Sequence, residues 1–245
     1  MATLLNRARR AVRRRTSRLR RSLIDNAPSW ARTHFGRPAA YLELILSDHG
    51  LFRLLYLNKH QLAKDAWRSA QPAPGDIRKM AAQGIRTIIN LRGPRDCSSY
   101  ALERAACEEH GIALVDYQLR SRAAPTIKEV TGALEILDKV EYPILFHCKS
   151  GADRAGLMSV LFMHFREGQP MQSAVKQLSL KYGHIRQADT GVLDYFFERY
   201  LEENAVRPVA FLEWMRTAYN PDEVKRSFQA KGWANRLVNS ILHRE

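Results

Sequence analysis

Cysteine is scarce in this chain: Cys97, Cys107 and Cys148 are the three among 245 residues. They form no CxxC pair and no framework spacing, which argues against a small secreted domain built on disulfides. The histidines are scattered, and no His/Cys cluster has metal-ligand spacing, so neither a metal nor a cofactor is expected. No stretch of about 18 apolar residues occurs, so no membrane-spanning helix is expected. The nearest approach, AAYLELILSDHGLFRLLYL, is interrupted by Glu43, Asp48, His49 and Arg53. Acidic residues are in deficit as well: 25 Asp and Glu face 39 Lys and Arg, a formal net charge of +14. Such an excess favours partners that carry phosphate or other anionic groups.

The positive charge is unevenly placed. Residues 1–24 contain nine arginines and no acid. Leu5, Ala8, Val12, Leu19 and Leu23 recur at helical spacing, which gives an apolar stripe beside a broad cationic face. A helix of this kind suits an anionic membrane surface. A disordered basic tail and a nucleic-acid arm are the other readings of that composition, and nucleic acid is not the expected partner. No apolar run follows the first cationic residues, so a cleaved secretory signal is not expected; an Arg-rich, acid-poor start also fits a mitochondrial transit peptide. The expected location is cytoplasmic, peripheral on the inner membrane, or the mitochondrial matrix side in a eukaryote.

Three regions follow from these shifts: a basic amphipathic segment over 1–25, a linker with short helices over 26–59, and one domain over 60–245. In the last region, β-branched and aromatic runs bounded by turn signals predict strands at 66–70, 85–91, 112–119 and 143–147. Helical patterns lie between them at 75–83, 98–110 and 126–140, the last opening on a Thr126-x-x-Glu129 capping box. Only helical patterns follow, near 155–167, 170–181, 190–203, 208–218 and 221–243, with Asp189 or Thr190 as an expected N-cap. The alternation predicts an α/β domain with a central, mostly parallel sheet flanked by helices and a helical C-terminal part.

One short stretch carries chemistry. FHCKSGADRAG, residues 146–156, joins an apolar strand to a helix beginning near Arg154 or Ala155. The turn over 148–153 therefore sits at the carboxyl end of a central strand, where α/β sheets collect ligands. Backbone N–H groups there and the positive end of the following helix favour an oxyanion of phosphate size. Arg154 can close that cup with a planar, bidentate contact. Gly151 lets the backbone curl without a Cβ clash. Lys149, Arg154 and the helix end lower the cost of a thiolate at Cys148. The result is a nucleophile at the floor of an anion-binding turn; a buried core cysteine at a strand end is the plainer alternative.

This loop resembles the signature of the cysteine-dependent protein-tyrosine and dual-specificity phosphatase superfamily. WRSAQP at 67–72 and GIRTIINLR at 84–92 resemble the early strands of its compact, atypical members, and the likeness covers about residues 60–200. It implies a metal-free, two-step reaction on a phosphorylated substrate. Cys148 attacks phosphorus, Arg154 and the loop residues Lys149, Ser150, Gly151 and Ala152 hold the phosphate oxygens, His147 orients the loop, and water hydrolyses the phosphocysteine.

Two departures from the family pattern stand out. Members usually carry Ser or Thr directly after the arginine; here the residue is Ala155, which predicts a slow second step that Ser150 would have to compensate. Members also take a general acid from a loop some thirty residues before the cysteine, and QLRSRAAPT here has none. Asp153 resembles the loop aspartate of phosphoinositide phosphatases and of some bacterial lipid-directed tyrosine phosphatases, and is the first choice as proton donor. Asp116 and Asp96 are the alternatives. Arg92, Arg95, Arg120 and Arg122 are expected on loops at the same sheet edge, with Arg92 and Arg122 assigned to substrate binding. A polyanionic lipid or glycolipid phosphate, of the kind found on lipopolysaccharide anchors, is the expected substrate. A phosphotyrosine or dual-specificity protein phosphatase is the second reading, and a non-catalytic phosphate-binding module the third.

Overall fold

The computed structural model describes residues 57–230. The expected basic segment over 1–25, nearly all of the 26–59 linker and the end of the 221–243 helix lie outside the described residues. One five-stranded sheet organises the rest, in the order β1-β2-β5-β3-β4. The strands are β1 (His60–Ala63), β2 (Ala66–Ala70), β3 (Thr87–Asn90), β4 (Ala113–Asp116) and β5 (Ile144–Cys148). β2, β5, β3 and β4 run parallel, and β1 closes one edge antiparallel to β2.

Period-2 alternation along β5 decides what each face buries. Ile144, Phe146 and Cys148 join the larger apolar cluster, whereas Leu145 joins a smaller one with Ile77, Met80, Ile88 and Ala106. The smaller face is covered by α1 (Pro74–Ala82) and α2 (Ser98–Glu109). The larger face is covered by α3 (Ile127–Lys139), α4 (Asp153–Phe165), α5 (Met171–Ala174), α6 (Val192–Val206) and α7 (Phe211–Thr217). α4 is the central post: every residue from Ala155 to Met163 is buried. A helix apolar all round belongs inside a core, and each fully buried Leu, Val, Phe or Met contributes about 1.5–3 kcal/mol.

The sheet and most helices fall where the sequence patterns place them, including the α3 capping box, with Thr126 Oγ1 accepting from the Glu129 N–H at 3.2 Å. Three elements differ. β1 was not expected, because HQLA lacks β-branched residues and is a partly exposed edge. The helix expected over 170–181 stops after α5 and continues as 3₁₀ turns at Val175–Gln177 and Leu180–Tyr182. Its carbonyl at Gln177 is taken by Arg68, and Leu178 docks where Gly156 leaves no side chain: a Cβ on Gly156 would meet Leu178 Cδ2 at 2.6 Å. Lastly, α6 is entered from Gly191 and not from Asp189 or Thr190, which form a 3₁₀ turn with it. The Arg186 carbonyl lies where a Gly191 side chain would stand, 1.8 Å from its ideal Cβ.

Candidate active site

β5 ends at Cys148 and α4 begins at Asp153, so the signature is a short turn between the central strand and the central helix. Gly151 has φ +75, a conformation that an L side chain seldom adopts. A Cβ there would also lie 2.7 Å from the Ala70 backbone nitrogen. Glycine is required twice over, by the turn and by its packing against the end of β2.

Three consecutive loop carbonyls are held from outside the turn. Asn58 Nδ2 donates to Ser150 O at 2.9 Å, and Arg68 Nη2 donates to Gly151 O at 2.7 Å and Ala152 O at 2.9 Å. In a trans peptide the next N–H points opposite to the carbonyl. The N–H groups of Gly151, Ala152 and Asp153 therefore face the concave side, where the α4 N-terminus adds positive potential. Arg154, in the first turn of α4, has its Nε buried with no hydrogen-bond partner. An unpaired buried donor is costly, and an anion in the turn would satisfy it.

Arg68 is the largest fully buried side chain of the described residues. In register it stands opposite Phe146, between Ala66 and Ala70, on the face that packs against α4. Burial pushes it down to about 10, with neighbouring Cys148, Tyr182 and Asp153 acting the other way, so it remains a cation at neutral pH. It also lies over the Tyr182 ring at 4.2 Å. From there it faces Cys148, which is 2 % exposed.

A second buried chain approaches from the opposite face. His147 Nε2 lies 2.5 Å from Glu103 Oε1, both side chains fully buried, with the approach off the hydrogen-bonding direction. Its Nδ1 is 3.3 Å from Cys148 O. Gln71 Nε2 donates to Glu103 Oε2 at 2.6 Å, and Arg92 Nη1 donates to Gln71 Oε1. Arg92 is thus a buried end of this chain, 4 % exposed, and not an open mouth residue as expected. Arg120 differs too: both its Nε and Nη2 are bonded to Glu129, at 2.7 and 2.6 Å, on the first turn of α3. Arg122 and Ser150 are exposed, and Lys149 is half-buried beside Cys148.

The three candidate proton donors have different surroundings. Asp153 Oδ1 is 2.8 Å from His184 Nδ1, and His184 Nε2 is 2.7 Å from Asp194 Oδ2. Asp116 is occupied on both oxygens, by Asn90 Nδ2 at 2.7 Å and by the Tyr100 hydroxyl, whose own ionisation burial and that bond push up to about 12. Asp96 lies with Arg95, Cys97 and Arg104 in a separate surface cleft. Only Asp153 belongs to the turn itself. Ala155 is fully buried and offers no hydroxyl to Cys148. Among the described residues no group of His, Cys, Asp and Glu could hold a metal ion.

Sequence reasoning missed Asn58, Arg68, Gln71, Glu103, His184 and Asp194. Arg68 had a signal: a cation between two alanines on the core face of a central strand must have buried partners. His184 and Asp194 had none.

A parallel sheet with this strand order, carrying a Cys-to-Arg turn between β5 and its following helix, is the framework of a phosphoric monoester hydrolase of the protein-tyrosine and dual-specificity type. Residues 57–191 match the family described as "DSP-PTPase phosphatase fused to NAD+ Kinase", and the chain belongs to that family. TpbA of P. aeruginosa is similar in structure, with 18% identity, 66% of this chain and 90% of that chain covered, and a TM-score of 0.51. TpbA in complex with pTyr matches with 18% identity, 59% and 91% coverage and a TM-score of 0.47. Tk-PTP in the active form matches with 18% identity, 58% and 97% coverage and a TM-score of 0.43. No curated protein matches the chain.

Proposed function

We propose that the protein removes phosphate from an anionic lipid or glycolipid head group at a membrane surface. Cys148 attacks phosphorus, the loop N–H groups and Arg154 hold the oxygens that gain charge, and Asp153 gives a proton to the leaving group. Water then releases phosphate from the phosphocysteine.

The observation that carries the lipid reading is the rim beside the turn. Leu180 is 77% exposed and Ile185 51%, on a segment tied to the loop by Asn58 and His184. Lys181 and Arg186 stand next to them, which pairs apolar contact with positive charge as a bilayer surface requires. Behind this rim a cleft of about 520 Å³ is walled by Leu178, Phe197 and Leu201 together with Lys176 and Lys181. Its walls do not include the Cys148 turn, so it is a neighbouring space and not the phosphate cup. The basic segment over 1–25 would add to such docking.

Phosphate release from a phosphorylated anionic lipid in vesicles, compared with a phosphotyrosine peptide in solution, tests this reading with Cys148→Ser as the blank. Leu180→Glu with Ile185→Glu is expected to lower vesicle turnover about tenfold or more while leaving a soluble aryl phosphate within twofold. A preference for the peptide, indifferent to both changes, would make the protein a protein phosphatase instead.

Ala155 shapes the second step. The wild type is expected to accumulate phosphoenzyme in rapid-quench traces, and Ala155→Ser to shorten its lifetime by about tenfold, because a hydroxyl beside Cys148 stabilises the departing thiolate. Unchanged traces in the serine variant would remove that role from the residue after the arginine.

A further inference from the structure

His184 lies outside every motif in the sequence, yet it is 2 % exposed and engaged at both ring nitrogens. Asp153 reaches it from the first turn of α4 and Asp194 from the first turn of α6. These two carboxylates are the charged groups that face it. The cations of its own segment are turned elsewhere: Lys181 lies over the Tyr182 ring at 5.2 Å, and Arg186 pairs with Glu198 at 2.6 Å. From β2, Arg68 adds positive field at Asp153. Imidazole can satisfy two carboxylates only by donating from both nitrogens, or by accepting from a carboxyl that carries the proton itself. Burial works against a charged ring, but the bonds to Asp153 and Asp194 outweigh it and raise His184 to about 9. Asp153 remains 24% exposed, so part of its carboxyl is left for the substrate side.

Resting on the assignment of Asp153 as proton donor, we propose that His184 is its positioning residue, and that the Asp153–His184 pair, braced by Asp194, holds the one proton exchanged in each turnover. Imidazolium with carboxylate and imidazole with carboxylic acid contain the same protons, so they are two forms of one titrating unit. In the first step the Sγ–P bond forms and the ester P–O bond breaks. The leaving oxygen takes the proton from the Asp153 carboxyl, which becomes carboxylate beside a neutral His184. The Nε2 proton stays on the bond to Asp194, which fixes the tautomer and leaves Nδ1 toward Asp153. In the second step a water oxygen attacks phosphorus, its proton passes to Asp153, and the S–P bond breaks to regenerate the thiolate. The pair has then regained its proton. A lone carboxyl would be empty above about pH 5; the pair keeps its proton through neutral pH.

The test is the pH profile of kcat/KM on an alkyl phosphate, whose leaving group needs the proton, and on para-nitrophenyl phosphate, whose leaving group does not. Wild-type activity on the alkyl phosphate is expected to persist through neutral pH and fall toward pH 9. His184→Gln can still bond Asp153 but cannot titrate. It is expected to lose about 10- to 100-fold on the alkyl phosphate at pH 7, with the descending limb moved to acid, and little on the aryl ester. Asp194→Asn should move the same limb the same way by less, and it stands in if thermal melts show that His184→Gln does not fold. An unmoved limb in folded variants, or equal losses on both esters, overturns the proposal. Asp153→Asn separates the two levels: equal losses on both esters remove Asp153 as donor, whereas a selective loss there with unmoved limbs in both other variants keeps the donor and removes the pairing.

Discussion

Cys148→Ser is expected to abolish phosphate release, by about three orders of magnitude or more, while the variant folds and still binds inorganic phosphate. The change is small in volume and the position is only 2 % exposed, so packing around it should be kept. What is lost is the nucleophile: a serine hydroxyl there has no base to activate it, since His147 is turned to Glu103 on the far face. The surrounding cup is unchanged, and its donors come from backbone and Arg154. Phosphate-release assays paired with a calorimetric titration of phosphate check both halves. Turnover within tenfold of wild type would place the nucleophile elsewhere; loss of phosphate binding together with turnover would mean that the thiolate helps to build the cup.

Gly151→Ala should be nearly as damaging by a different route. One methyl group must be fitted against the Ala70 nitrogen and the Ser69 carbonyl carbon, each 2.7 Å from its position, and the residue must hold φ +75. Neither neighbour can yield, because both are backbone of β2, paired in register with β5. The loop has to move instead, which breaks the Arg68 bonds to Gly151 O and Ala152 O. The expected cost is about 2–3 kcal/mol of stability and about a hundredfold or more in kcat/KM. Thermal melts and initial rates measure both. A variant with wild-type melting temperature and turnover within twofold would show that the turn tolerates a side chain.

Four of the five strands, β2 to β5, were legible in the sequence because runs rich in apolar, β-branched or aromatic residues between turn signals mark them, and the turn because Cys148, Gly151 and Arg154 sit at fixed offsets between a strand and a helix. The residues that hold the turn in place were not. Asn58, Arg68, His184 and Asp194 are scattered over more than a hundred positions, and no spacing rule links them; only the packing of α4 between β2 and α6 brings them together. Arg92 shows the reverse error. An arginine directly after a strand reads as a loop cation open to substrate, yet Gln71 and Glu103 make a buried place for it. The helix expected over 170–181 failed for a similar reason: its apolar period is genuine, but Arg68 Nη1, buried on β2, takes the Gln177 carbonyl, and satisfying a buried cation wins over one more helical turn.

The threads that tie the turn to distant chain also fix when it can exist. Asn58 to Tyr182 spans 124 positions, Arg68 to Gln177 spans 109, and Asn58 to Ser150 spans 92. Contacts this remote close late as a chain folds, after the local helices and the neighbouring strands. A fragment ending after α4 would contain the whole signature, from His147 to Arg154, and none of the 175–194 clamp. It is therefore expected to carry the thiol in a cup whose holders, Asn58 and Arg68, and whose Asp153 have lost their own bracing, and turnover becomes a reporter of completed folding and not of the motif's presence.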